Sequence, residues 1–244
     1  MFILHVVCVT LVGRPGLPTR VEHLHINCMA SRLRLGLPPS DVLAYRCTCS
    51  VAHRHSDRMQ VDPWHYLSCN FALSHSMTKR HNAVRDAIVR VCNKAGITTI
   101  REPAHLFTDG NKRPDAQIIY HNTNTLIDIA VSNPIAPTHA THAAQHILGT
   151  ATNAEKRKND KYNEDCRAFG ADFIPFSVEV FGGLGEQARQ LIKFIHNIAL
   201  ANPSPIYSAR ELVNELVSSV AVAVQVGNAM CIQEGIRLQQ HRHS

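Results

Sequence analysis

The fold of this chain is most tightly constrained by the stretch RPDAQIIYHNTNTLIDIAV, residues 113–131, in which two apolar runs each carry an aspartate. Hydrophobic and polar residues alternate along the first run, and HNTN between the runs is typical of a turn. The stretch therefore predicts a β-hairpin with one apolar face. The positions predicted to face the core are Ala116, Ile118, Tyr120, Ile127, Ile129 and Val131.

The two aspartates of this hairpin, Asp115 and Asp128, are predicted to project from one face. A turn centred just after Asn122 makes Asp128 face Gln117 and lie diagonally from Asp115, roughly 7 to 8 Å away along the backbone. A strand interior disfavours Asp, and an unpaired buried carboxylate is costly. A shared metal ion would remove both difficulties. The alternative is that Asp115 caps a turn after Pro114 and that Asp128 is a charge on an edge strand.

Length and charge limit the class of protein. The 244 residues can form one large domain or a small module with a medium one, and a hydrophobic content of 45% is enough for a core. Lys and Arg number 25 against 19 Asp and Glu, and the net charge of +6 favours a polyanionic partner such as nucleic acid. No apolar, uncharged run reaches the roughly 18 residues of a membrane span. The sequence predicts a soluble protein without a signal peptide or a transmembrane segment.

Cysteine and histidine cluster in YRCTCSVAHRHSDRMQVDPWHYLSC, residues 45–69. The soft ligands for a tetrahedral zinc ion would be Cys47, Cys49, His65 and Cys69. Other histidines that could substitute are His53, His55 and His75. We expect the module to need zinc for folding, because little apolar material lies between the ligands; the alternative is a Cys/His-rich loop without metal. The isolated cysteines are predicted to be small buried residues: Cys8, Cys28, Cys92, Cys166 and Cys231.

Helical and extended patterns alternate along the rest of the chain. An apolar stripe at helical spacing lies within residues 80–95 and consists of Val84, Ala87, Ile88, Val91 and Ala95. The opposite face of that helix is basic and carries Arg85, Arg90 and Lys94. A short strand, the hairpin, a polar helix closed by Gly170, a strand over DFIPFSVEVFGG and an amphipathic helix follow. This order predicts a mixed α/β core, and residues 208–238 are predicted to be mostly helical.

A hydrolytic site built on two aspartates also needs a cationic side chain to stabilise the charge that develops. Ala130 stands two residues after Asp128, where a lysine would share the face of the aspartate, so the basic group must come from elsewhere. The polar helix offers Lys156, Lys158 and Lys161. By helical spacing, Lys158, Lys161 and Tyr162 share one face. The alternative is a charged helix that is merely solvated.

Several of these motifs, in this order, resemble one family. The set is CTC through HYLSC, KRHNAVRDAI, RPD, LIDIAVSNP, EKRKNDKY and FIPFSVEVFGGLG, within residues 45–200. It resembles the C-terminal restriction-endonuclease-like region of non-LTR retrotransposon polyproteins, in which a Cys/His zinc motif precedes a nuclease of the PD-(D/E)xK fold. The resemblance implies an α-β-β-β-α-β core with a small N-terminal zinc module and a helical C-terminal tail. In that family the catalytic lysine has moved onto the following helix.

The resemblance also implies roles for individual residues. Asp115 would be the aspartate of the PD motif and Asp128 the second ligand of a catalytic Mg²⁺. Lys158 best matches the displaced lysine, and Lys161 is the next candidate. The residues expected to bind nucleic acid are Arg80, His81, Arg85, Arg113 and Tyr162. Two further carboxylates, Glu102 and Glu179, are left open as accessory members of the site.

The family implies nicking of double-stranded target DNA in the nucleus to prime reverse transcription of the element's RNA. No Y-x-D-D polymerase signature occurs, so we expect no polymerase core in this chain. The predicted organisation is a leader over 1–44, interpreted as the end of an upstream thumb region, the zinc module over 45–79, the nuclease domain over 80–200 and the helical tail over 201–244. The alternatives are a catalytically inactive nucleic-acid-binding remnant and a plain α/β scaffold protein.

Overall fold

The computed structural model describes residues 29–32, 45–46, 60–61, 63–108 and 112–240. Residues 29–32 form a single helical turn, and residues Pro63–Leu67 form a 3-10 helix. The strands are β1 (Tyr45–Arg46), β2 (Gln60–Val61), β3 (Thr98–Arg101), β4 (Ala116–Tyr120), β5 (Thr123–Ser132) and β6 (Asp172–Glu179). The longer helices are α1 (Asn70–Lys94), α2 (Ala140–Gln145), α3 (Gly149–Phe169), α4 (Glu186–Ala201) and α5 (Ala209–Gln240).

The centre of the fold is a four-stranded mixed sheet with the strand order β3-β4-β5-β6. The β3/β4 and β4/β5 pairs are antiparallel, and β5 and β6 are parallel. Two parallel neighbours need a crossover connection, which α3 supplies between β5 and β6. The mixed α/β prediction is confirmed, and the order α1, three strands, α3, β6, α4 agrees with the order predicted from the sequence.

One face of the sheet packs against α1, α4 and α5 in the largest apolar cluster. The predicted stripe of α1 is entirely within this cluster, with Val84, Ile88 and Val91 fully buried. Ile118, Ile127 and Ile129 supply the sheet side of the same cluster, as the alternation of the hairpin predicted. The apolar face of the hairpin and the apolar face of α1 therefore bury each other.

The opposite face of the sheet is covered by α3. Leu126, Tyr162 and Cys166 form a smaller buried cluster there, bordered by Phe107 and Phe173. Polar positions of β4 and β5 on this side are consequently buried as well, although alternation alone would expose them to solvent. The polar helix is thus a cover over half of the sheet, and Gly170 ends it in the left-handed conformation that favours glycine, with a φ of 75°.

Helix α5, which the sequence predicted as a helical tail, packs into the main core. Leu212, Leu216, Val220 and Val224 lie in the main cluster with α1. Within the described residues it is also the one helix long and apolar enough to cross a membrane by length and composition, over Ala209–Leu238; an 18-residue stretch of it has a mean hydropathy of 1.5 and is 44% buried. Part of its apolar surface is buried in the main cluster with α1, while Val217 and Val222 are 42% and 55% exposed.

The segment before α1 also packs on the domain. Tyr66, Leu67 and Cys69 are buried in a cluster with Ala229 and Ile232 of α5. Residues 66–69 are therefore held by α5, whereas most of the stretch between Cys49 and His65, where little apolar material was expected, lies outside the described residues. The predicted ligands Cys47 and Cys49, and the substitutes His53 and His55, lie outside the described residues, so the zinc site stays a prediction.

Candidate active site

The β4/β5 hairpin closes one residue earlier than the sequence predicted. Tyr120 pairs with Thr123 and Gln117 with Leu126, so Asp128 does not face Gln117. The physical reason is the two-residue turn at His121 and Asn122, in which His121 adopts a φ of 48°. Turns of two residues between antiparallel strands favour such positive φ values. The predicted register, which placed the turn one residue later, was therefore wrong.

Asp115 lies immediately before β4 and takes over its pairing with β5. Its backbone N–H donates to the carbonyl of Ile127 at 2.9 Å, so Asp115 and Ala116 both lie opposite Ile127, the two-to-one pairing of a β-bulge. Its carboxylate Oδ2 then accepts the next ladder bond, from the N–H of Ile129, at 2.6 Å. The side chain of Asp115 is thus fixed against β5, next to Asp128.

Asp128 is 3% exposed in the middle of β5, between the neighbouring strands and under α3. Burial and the nearby negative charge of Asp115 raise the pKa of this carboxyl, while Lys158 opposes the shift. The ammonium of Lys158 forms an ion pair with Oδ2 of Asp128. The structure thus brings together Asp115, Asp128 and Lys158, and a buried carboxyl with a raised pKa beside a charged partner, as at Asp128, is a typical feature of a functional site.

Lys161 and Tyr162 lie on the same face of α3, as the helical spacing predicted, but they make different contacts. Tyr162 is 1% exposed, and its hydroxyl donates to the carbonyl of Arg113 at 3.1 Å. Burial and the charge of Asp128 raise the pKa of this hydroxyl, so it is protonated at neutral pH. Lys161 donates to the Tyr162 hydroxyl at 3.0 Å and lies over the ring. Of the two candidate lysines, Lys158 is therefore the one that contacts an aspartate.

His81 reaches the site from α1. Its Nε2 lies 3.0 Å from Oδ2 of Asp115, and its side chain is 30% exposed. Burial lowers the pKa of His81, but the hydrogen bond and the negative charge of Asp115 outweigh this effect and leave the pKa above its ordinary value. The motif KRHN gave a signal for this residue, which the sequence-based interpretation assigned to nucleic-acid binding.

Glu102 connects two of the predicted DNA-binding arginines. Its carboxylate pairs with Arg85, and its other oxygen accepts from Arg113 at 2.8 Å. Arg85 is 9% exposed at its side chain and Arg113 is 56% exposed. The basic face of α1 is further neutralised by Glu215 of α5, which pairs with Lys94 at 2.7 Å. Little of this face is thus left as uncompensated positive charge.

Arg80 does not lie where a DNA contact requires it. The residue is 2% exposed, and its guanidinium donates to Asn228 Oδ1 at 2.8 Å and to the carbonyl of Leu67 at 3.0 Å. Gly227 of α5 packs directly against its aliphatic carbons. Burial lowers the pKa of this guanidinium. The predicted role of Arg80 in nucleic-acid binding is corrected to a structural one, because the side chain ties α1 to α5.

We expect Arg80→Ala to lower the free energy of unfolding by about 2 to 4 kcal/mol, because two buried acceptors lose a charged donor. Arg90→Ala is the matched control on α1, since Arg90 is 49% exposed and pairs with Glu215 at 3.5 Å. That control should cost less than about 1 kcal/mol. Urea unfolding followed by circular dichroism measures both. A weakened DNA affinity of Arg80→Ala at unchanged stability would restore the nucleic-acid role.

Glu179 does not join the acidic pair, because its carboxylate accepts a hydrogen bond at the start of α3. Its Oε1 accepts from the N–H of Ala151 at 3.2 Å, at the start of α3. Glu155 of α3 does the same for α4, accepting from the N–H groups of Gln187 at 3.0 Å and Ala188 at 3.3 Å. Burial raises the pKa of Glu155, and these hydrogen bonds oppose the shift. Both glutamates satisfy helix N-termini, a task that the sequence pattern did not reveal.

The donor set at Asp115 and Asp128 fits a hard divalent cation. Mg²⁺ is bound in proteins through one or two carboxylates, with waters and phosphate oxygens completing its shell. Within the described ranges, no group of three or more His, Cys, Asp and Glu side chains is arranged to hold a metal. The repulsion that raises the pKa of Asp128 would be relieved by a cation between the two carboxylates.

Comparisons with known proteins assign no family to the chain. No protein-family model matches it, and a search of curated proteins gives no match either. The structure is that of a mixed α/β protein with a four-stranded mixed sheet. An acidic pair and a lysine lie on one face of that sheet.

Proposed function

We propose that the chain is a metal-dependent DNA endonuclease domain with a PD-(D/E)xK core. The observation that carries the proposal is the convergence of Asp115, Asp128 and Lys158 on one face of the sheet, from the residue before β4, from β5 and from α3. The order of helices and strands and the motif resemblance support it independently. Two acidic residues and one lysine on such a hairpin and helix are the chemical groups that phosphodiester hydrolysis requires.

In this proposal Asp115 and Asp128 hold Mg²⁺. The ion, when bound, would activate a water molecule for attack and stabilise charge on the phosphate. Burial and the charge of Asp115 raise the pKa of Asp128, and Lys158 opposes this shift; a bound cation would further favour the ionised carboxylate. The hydrogen bond from the N–H of Ile129 holds the carboxylate of Asp115 beside Asp128.

Lys158 has the second role. Its side chain is 28% exposed, and its ammonium contacts a carboxylate that is almost fully buried. From there it would orient the attacking water or offset the negative charge that develops on the phosphate. The buried Tyr162 lies one turn further along α3.

Double-stranded DNA is the proposed substrate. Among the predicted nucleic-acid-binding residues, Arg113 and His81 are accessible, with side chains 56% and 30% exposed, whereas Arg80, Arg85 and Tyr162 are buried. Arg113 directly precedes the Pro-Asp pair, so a phosphate held by it would lie near Asp115. The net charge of +6 supports binding to a polyanion.

The biological setting that we propose follows from the resemblance. The domain would nick target DNA in the nucleus and expose a 3′ end for reverse transcription of a non-LTR element, with the element RNA as a further partner. The Cys/His module with Cys47, Cys49, His65 and Cys69 would bind structural Zn²⁺ and add DNA contacts.

The direct test of function is nicking of supercoiled plasmid by the purified full-length chain. We expect open-circular product with Mg²⁺ and none with excess EDTA. Loss of the product in Asp128→Asn would exclude a contaminating nuclease. A wild-type chain that binds DNA and Mg²⁺ without nicking supports instead the catalytically inactive nucleic-acid-binding remnant.

For the zinc module we expect about one zinc per chain by elemental analysis, lost in Cys47→Ser. Removal of the metal should lower DNA affinity and flatten its salt dependence if arginines of the module contact phosphate. The nuclease core should keep its circular dichroism, because its sheet and helices share the main apolar cluster. Cys92→Ser is a control variant for the loss of a thiol, since Cys92 is buried in the main core. A zinc-free chain in which Cys47 and Cys49 are freely alkylated under native conditions would contradict this prediction.

A further inference from the structure

His81 makes its closest charged contact with Asp115, the carboxylate that follows Pro114. We propose that His81 is a positioning residue, which holds Oδ2 of Asp115 so that Oδ1 is presented to the cation. This inference rests on the proposed function, because it assigns a residue to the binding of that cation. It replaces the direct DNA contact that the sequence predicted for His81.

The two oxygens of Asp115 have different surroundings. Oδ2 receives both the N–H of Ile129 at 2.6 Å and Nε2 of His81 at 3.0 Å. Within the described part of the chain, Oδ1 has neither a hydrogen-bond donor nor an ion-pair partner. Two donors from different directions fix the rotation of a carboxylate about its terminal bond, whereas a single donor leaves it free to turn. The unengaged oxygen is then the one available to a metal.

His81 is suited to this task by its place in the fold. It lies on α1, which is anchored to the core by Val84 and Ile88 and to α5 through Arg80. The imidazole can donate from Nε2 to Asp115 in its neutral form as well as in its charged form, so the proposed role does not require a charged ring. The donor is thus delivered by a rigid helix and not by a loop, which favours precise placement.

Partners that orient a metal ligand typically contribute 10- to 100-fold to metal affinity or activity. We therefore expect His81→Ala to lower kcat for plasmid nicking by roughly 10- to 100-fold and to raise the Mg²⁺ concentration for half-maximal rate. KM for DNA should change little. His81→Gln, whose amide nitrogen can also donate to Asp115, should recover most of the loss. His196→Ala is the matched control, because His196 is a partly exposed histidine on α4.

Mn²⁺ binding without DNA supplies a readout that does not need activity. His81→Ala should bind Mn²⁺ about tenfold more weakly than the wild type, and His81→Gln should lie close to the wild type. If the wild type binds Mn²⁺ in this way but does not nick, the proposed function fails while the positioning role stands. If His81→Ala raises KM for DNA and leaves kcat and Mn²⁺ affinity unchanged, the positioning role is overturned and His81 is a DNA contact.

Circular dichroism and thermal unfolding separate these effects from misfolding. A folded His81→Ala chain with normal Mn²⁺ affinity overturns the inference. Should the alanine variant fail to fold, His81→Asn gives the decision, because its shorter amide fills the space but cannot reach the position of Nε2. Mn²⁺ affinity in His81→Asn equal to that in His81→Gln would then overturn the positioning role.

Discussion

Asp115→Asn is expected to lower Mg²⁺-dependent nicking by about 1,000-fold or more, a loss of about 4 kcal/mol of transition-state stabilisation. The substitution keeps the shape of the side chain, and an amide oxygen can still accept from the N–H of Ile129. It removes the charge that a divalent cation requires. DNA affinity should be retained or slightly raised, since one negative charge facing phosphate is lost. Rates are measured on supercoiled plasmid at saturating DNA.

Asp172→Asn provides the matched control for Asp115→Asn. Asp172 is an exposed aspartate at the start of β6, so its substitution makes the same change in charge without touching the acidic pair. We expect nicking by this control to remain within about a factor of two of the wild type, as for most surface substitutions. A nicking rate of Asp115→Asn equal to that of Asp172→Asn would remove Asp115 from the catalytic site.

Lys158→Ala has the second-largest expected effect, about 2 to 4 kcal/mol of transition-state stabilisation, or roughly 30- to 1,000-fold in rate. Burial and Asp115 raise the pKa of Asp128, and Lys158 is the nearest charge that lowers it. Loss of the ammonium should therefore also move the acidic limb of the pH–rate profile to higher pH, because Asp128 then keeps its proton up to a higher pH. The profile of kcat against pH measures both effects.

Lys161→Ala is the matched control for Lys158→Ala, since both lysines lie on the same face of α3. Lys161 contacts the hydroxyl and the ring of Tyr162 and not a site aspartate. Its loss should cost less than about 1 kcal/mol, or about fivefold in rate. If Lys161→Ala proves the more damaging change, the catalytic lysine is Lys161 and the assignment to Lys158 is wrong.

Local sequence patterns predicted the elements of the fold well. The stripe containing Val84, Ile88 and Val91 identified α1, because burial at helical spacing is a property of the local sequence. The same reasoning found the hairpin and its apolar face, with Ile127 and Ile129 in the core. Helical spacing also grouped Lys158 with Lys161 and Tyr162 on one face of α3, and the family resemblance singled out Lys158, which contacts Asp128.

Features that depend on distant contacts could not be predicted in this way. Arg80 looks like a surface cation in its motif, and only Asn228, 148 residues away, shows why it is buried. The hairpin register depended on the φ of a single residue, His121, which composition does not determine. The neutralisation of Lys94 by Glu215 likewise joins two helices that are far apart in the sequence. Such pairings result from tertiary packing, which overrides local propensity.

Both proposals require that Asp115 and Asp128 share one divalent cation. The direct measurement is Mn²⁺ titration of the purified chain, followed by electron paramagnetic resonance, with the wild type, Asp115→Asn, Asp128→Asn and Asp172→Asn compared. We expect one Mn²⁺ per chain in the wild type and in Asp172→Asn, and at least a tenfold weaker affinity in each of the two site variants, because each removes a carboxylate ligand. Wild-type Mn²⁺ affinity in both Asp115→Asn and Asp128→Asn would contradict the shared cation and, with it, the proposed nuclease site.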